Sequence, residues 1–110
     1  MEKVSLTDLA HTQLEAARRS SSGRASKTVY GGHEHALRQT AIALVGGQEL
    51  HEHENPGEAT VHVLQGRVEL RADDVAWQRA AGDLLQVPDA RHSLAAIEDS
   101  VVLLTVSKQL

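Results

Sequence analysis

The stretch that decides the fold is His51-Glu52-His53-Glu54-Asn55-Pro56-Gly57-Glu58-Ala59-Thr60-Val61-His62-Val63-Leu64-Gln65-Gly66. Asn55-Pro56-Gly57 is a turn, since proline presets φ and glycine tolerates conformations closed to other residues. Beyond it Ala59, Val61 and Val63 alternate with Thr60, His62 and Leu64, the period of a strand with one face toward a core. Gly66 then marks a tight hairpin turn, and Val68, Leu70 and Ala72 alternate with Arg67, Glu69 and Arg71 on the returning strand. Before the turn, His51 and His53 stand two apart. On a regular strand such residues share a face, so two imidazoles can converge on one point while Glu52 faces away.

Outward from this segment the same grammar repeats. Gly46-Gly47, Asp73-Asp74 and Pro88-Asp89 are further turns. The spacing predicts strands near 27–30, 37–45, 49–54, 59–65, 67–72, 75–79, 83–87, 91–97 and 100–106. Short strands at such intervals, with no helical pattern between them, indicate a β-sandwich or a double-sheet barrel of jelly-roll type. A helix is predicted only at the start, where Leu6, Leu9, Ala10, Leu14 and Ala17 form one stripe, Ser5 or Thr7 can cap, and Arg18 and Arg19 suit the last turn. Ser20-Ser21-Ser22-Gly23 reads as a linker. The expected organisation is a helix and linker over 1–26 and a β-barrel domain over 27–110. Val101-Val102-Leu103-Leu104 is apolar on both faces, so one face meets the core and the other needs a cover, either the helix or a second subunit.

Composition narrows the function. The chain has 110 residues, 41% of them hydrophobic, and a formal net charge of -4. This fits one globular domain with a modest core. Tyr30 and Trp77 are its only aromatic residues, both expected as large fillers, so the core is aliphatic. The absence of cysteine excludes disulfides, thiolate metal sites and cysteine nucleophiles. Mild acidity and few aromatics give no footprint for nucleic acid. No apolar run approaches the roughly 20 residues of a membrane span. The start Met1-Glu2-Lys3 lacks a secretory pattern, so a cytoplasmic location is expected.

Seven histidines stand out: His11, His33, His35, His51, His53, His62 and His92. His-x-His-x4-Glu58, then Val63-Leu64-Gln65-Gly66, then Gly82-x5-Pro88 and His92, resembles the two motifs of the cupin superfamily over roughly residues 40–106. The family's first motif runs Gly-x5-His-x-His-x3 or x4-Glu-x6-Gly, and its second Gly-x5-Pro-x-Gly-x2-His-x3-Asn. The resemblance implies a double-stranded β-helix and commonly a homodimer. It also implies a barrel interior that takes a small polar metabolite, with a divalent metal (Zn, Fe, Mn or Ni) as candidate cofactor.

Two registers of the first motif compete. In one, His51, His53 and Glu58 are ligands, and a surplus residue before Gly66 must sit in a bulge. In the other, Gly47-x5-His53 fits, Asn55 replaces the second histidine, and Ala59 replaces the glutamate without any insertion. Glu58 facing inward would mark the first; Ala59 and Val61 facing inward would mark the second. In the second motif Ala90 stands for glycine, His92 comes one residue early, and Ala96 replaces the asparagine. The implied metal set is therefore His53, His92, His51 and Glu58, with Asn55, Ala59, Val61 and Val63 as pocket residues. No catalytic residue is assigned. Isomerase, lyase and oxygenase chemistry all fit a metal form, and a metal-free binding, sensing or accessory protein is the alternative. His33 and His35 read as a polar loop, His62 as outward-facing, His11 as on the solvated side of the helix, and Asp83 as a turn residue.

Overall fold

The computed structural model describes residues 3–53, 57–88 and 90–108, and excludes the side chains of residues 52, 53 and 108. The described residues form one helix, α1 (Leu6–Arg19), and nine strands. The strands are β1 (Arg24–Tyr30), β2 (Leu37–Leu44), β3 (Glu49–His53), β4 (Gly57–Gln65), β5 (Arg67–Ala72), β6 (Val75–Ala80), β7 (Leu84–Gln86), β8 (His92–Ala96) and β9 (Ser100–Lys108). They pair as two antiparallel sheets, β1-β2-β9-β4-β7 and β3-β8-β5-β6. This is a jelly-roll barrel closed around an aliphatic interior.

Strand alternation builds that interior. Leu44, Val61, Val63, Val102 and Leu85 from the larger sheet meet Val68, Leu70, Leu94 and Ala96 from the smaller one. Trp77 packs against the same cluster from the edge strand β6, half-buried. The tight turns lie where glycine and aspartate foretell them. Gly66 has φ +86° and Asp73 has φ +52°, and a Cβ at Gly66 would collide with the Asp99 carbonyl and the Ser100 hydroxyl. Asp83 caps its own turn by accepting the Ala80 N–H at 2.9 Å.

The apolar outer face of the larger sheet is covered by α1. Val102 and Leu104 point into the barrel, while Val101 lies beneath the helix with Ala43, Ala10, Leu14 and Ala17. Ser5 caps the helix, accepting the Asp8 N–H at 3.2 Å. At its other end Arg18 Nε donates to Asp99 Oδ2 at 3.0 Å, and Asp99 Oδ1 accepts the Gly46 N–H at 2.8 Å. These two contacts, the Gly46 N–H first and Arg18 second, hold the Asp99 carboxyl below the ordinary aspartate range. The helix thus packs directly on the barrel. The first strand also begins at Arg24, three residues before its expected start. Tyr30 is 49% exposed rather than a filler, because β1 is a sheet edge with a bulge between Thr28 and Tyr30.

Candidate binding cavity

The barrel interior is not completely filled. Leu50, Leu70, His92 and Leu94 of the smaller sheet face Ile42, Val61, Val102 and Leu104 of the larger, with Val87 beside them, and enclose a cavity. The enclosed part is small; together with the space at its open mouth it measures about 310 Å³. Eight of the nine lining side chains are aliphatic.

His92 is the polar member. Its side chain is almost wholly buried, at 3% exposure. Strand β8 alternates with His92, Leu94 and Ala96 inward, which is why a histidine beginning this strand enters the barrel. Nδ1 lies 2.9 Å from the Ala90 carbonyl oxygen. A carbonyl can only accept, so Nδ1 carries the proton and donates it there. In the neutral ring Nε2 is then the acceptor nitrogen.

On the neighbouring strand Leu50 pairs with Leu94, but His53 pairs with His92, so β3 carries one more residue than β8 between these rungs. This bulge breaks the two-residue periodicity of the His-x-His segment. His51, next to inward-facing Leu50, stands on the outside, 82% exposed, with Nδ1 3.4 Å from Glu49 Oε1. The backbone of His53 occupies the register position opposite inward-facing His92. Its side chain, and Asn55 entirely, lie outside the described residues.

Strand β4 carries Ala59, Val61 and Val63 inward and buried, while Glu58 is exposed on the other face. That is the arrangement of the second motif register. A bulge between Val63 and Gln65 does exist, but it falls after these residues and leaves their parity unchanged. His62 is on the outer face and half-buried, and His11 is exposed on the helix. In the β1–β2 connection His33 is exposed and His35 lies against the Tyr30 ring, with centroids 5.3 Å apart. Among the described residues, only Val61 and His92 of the expected set line the cavity. Ile42, Leu50, Leu70, Val87, Leu94, Val102 and Leu104 join them, and strand alternation was the signal that marked most of these as inward.

Comparison with solved structures supports the same architecture. A conserved protein of unknown function from Streptococcus pyogenes is 30% identical, with a TM-score of 0.74 over 83% of this chain and 79% of the other. A cupin superfamily protein from Desulfitobacterium hafniense is 20% identical, with a TM-score of 0.72 over 78% of each chain. The chain has the cupin fold. A further similar structure is that of KdgF from a Halomonas species, 22% identical with a TM-score of 0.66 over 79% of this chain and 82% of that one. No protein-family model matches the chain, and no curated protein does. Among the described residues no helix is long and apolar enough to cross a membrane.

The donor set can be tested against the divalent metal that the cupin fold implies. A catalytic zinc site takes about three protein ligands. Among the described residues no group of three or more His, Asp or Glu side chains is placed to hold a metal ion. The imidazole of His92 faces aliphatic walls, and His51 and Glu58 stand outside the barrel. The described donors do not fit a resident metal.

Proposed function

We propose that this cupin is a binding protein whose barrel takes one small molecule with an apolar body and a hydrogen-bonding atom set against His92, without a resident metal. The observation that carries this reading is the cavity wall, which among the described residues is aliphatic except for one buried imidazole. Such a wall rewards apolar surface, and the buried imidazole edge of His92 gives a ligand a polar group to orient against. The lack of an inward carboxylate among the described residues weakens general acid–base schemes, which need a group within about 3 Å of the moving proton. A cytoplasmic location and a homodimer belong to the same reading. Leu84, 64% exposed on the edge strand β7, marks where a second copy would make contact.

One observation favours a second reading. His53 stands opposite His92 in register, and a backbone carbonyl orients His92 as metal-bound histidines are usually oriented. In that reading a divalent metal sits between these two residues and exogenous ligands. Elemental analysis of protein purified without a histidine tag separates the two. The binding reading expects substoichiometric metal and no change in melting temperature on adding Zn, Mn, Fe or Ni. About one equivalent of metal, lost in both His53→Ala and His92→Ala and raising the melting temperature when restored, overturns it in favour of the second.

A further inference from the structure

Strand β2 continues past the cavity toward the open end of the barrel. Leu44 and Ile42 face inward, and the β2–β9 register runs without a shift from Leu37 to Leu44. Thr40 and Arg38 therefore lie on the same inward face. Arg38 pairs with Val106, which pairs across β9 with Ala59. The next rung inward is Thr40, Leu104 and Val61, and its last two members line the cavity. Arg38 thus stands one rung, about 7 Å, outside the cavity wall on the same surface.

Its electrostatic setting differs from that of most other arginines; the Arg67 guanidinium also meets no described partner, but Arg67 is exposed. Arg18 and Arg19 reach Glu15, Arg18 also reaches Asp99, and Arg71 is 2.7 Å from Glu69. Arg24 and Arg79 donate to backbone carbonyls. Arg38 is half-buried, yet among the described residues its guanidinium meets no carboxylate and no hydrogen-bond acceptor. A partly desolvated cation without a partner favours an incoming anion, and the planar guanidinium fits a carboxylate through two parallel hydrogen bonds.

We propose that Arg38 is the anion anchor of the barrel, and that the ligand is a small monocarboxylate. Its acid group rests on Arg38 at the mouth while its apolar body enters the aliphatic cavity toward His92. The geometry keeps the charge at the solvated rim, where it escapes the heavy cost of burying an ion. This inference rests on the binding reading above and narrows its ligand class.

The test titrates the full chain with butyrate and hexanoate and with their primary amides, which are neutral and nearly the same shape. Binding is read from Trp77, the single tryptophan, and from amide NMR shifts of β2 and β8. The acids should bind about tenfold or more tighter than the amides, the range expected of charge-assisted hydrogen bonds. Arg38→Gln should erase that preference while keeping dispersed NMR spectra, and Arg38→Lys should keep part of it. Equal affinity for acids and amides, unmoved by Arg38→Gln, overturns the role of Arg38 and leaves the binding cavity standing. Silence from both series overturns the cavity reading and the anchor together.

Discussion

The two faces of the five-stranded sheet use the same strands for opposite ends. On the outer face β2 presents Ala41 and Ala43, both with no measurable exposure, and β9 presents Val101. Such small side chains let α1 settle close to the backbone, and the Arg18–Asp99–Gly46 contacts fix its end. On the inner face the same strands carry Ile42, Leu44, Val102 and Leu104, yet these do not fill the space before the opposite sheet. The filled face has polar contacts only at its margin. The unfilled face has a guanidinium at its rim and looks across at the buried imidazole of His92 on the smaller sheet. Alternation lets one strand contribute to stability and to binding through adjacent residues, so the two properties can be broken separately.

The largest effect is expected beneath the helix. Leu14→Ala removes a side chain that is 2% exposed and should cost about 3 kcal/mol in denaturant unfolding. Ligand affinity, measured where the variant is still folded, should stay unchanged. Leu94→Ala, equally buried but on the cavity side, should cost a similar amount, about 3 kcal/mol, and also enlarge the cavity, shifting preference toward longer apolar ligands in the same titration. If Leu14→Ala disturbs binding as much as Leu94→Ala does, the two faces are coupled and the comparison fails.

A smaller effect on stability is expected at His92. His92→Leu keeps an apolar group of comparable size and deprives the Ala90 carbonyl of its donor, so the loss should be about 1–2 kcal/mol. Binding should fall much more than stability, since the polar contact of the wall is gone. Asp99→Asn should cost about 1 kcal/mol, and its cost should depend on pH. The folded chain holds this carboxyl below its ordinary value of 3.8. The stabilisation is therefore present above that value and is lost as pH falls through the lower folded value. The deficit of Asp99→Asn should accordingly shrink in acid. A deficit constant from pH 7 to pH 2 would show that the charge of Asp99 plays no part in securing the helix. Least of all, Leu84→Ser should move stability within about 0.5 kcal/mol, while sedimentation shows whether it disrupts a dimer.

Much of this arrangement is legible in the chain. Val61 and Val63, or Val68 and Leu70, declare their strands by alternation, and Gly66 and Asp73-Asp74 declare the turns between them. The doubly apolar run at Val101–Leu104 foretells a covered outer face. What escapes reading is local parity. A bulge costs one ladder contact and has no required side chain, so nothing in Leu50-His51-Glu52-His53 announces that His53 comes into register opposite His92. Arg38 escapes for another reason. Leu37-Arg38-Gln39-Thr40 mixes polar and apolar residues on both faces, and only the unbroken pairing with β9 shows which face Arg38 shares. Tyr30 looked like core by its size, but an edge strand leaves its ring half in solvent.

The irregularity in β3 also bears on how such barrels diverge. Hydrogen bonding resumes on both sides of the surplus residue, so gaining or losing a single codon there leaves the neighbouring rungs intact while rotating a histidine between interior and exterior. Coordination chemistry in this architecture is therefore exposed to one in-frame event that the hydrophobic interior barely registers.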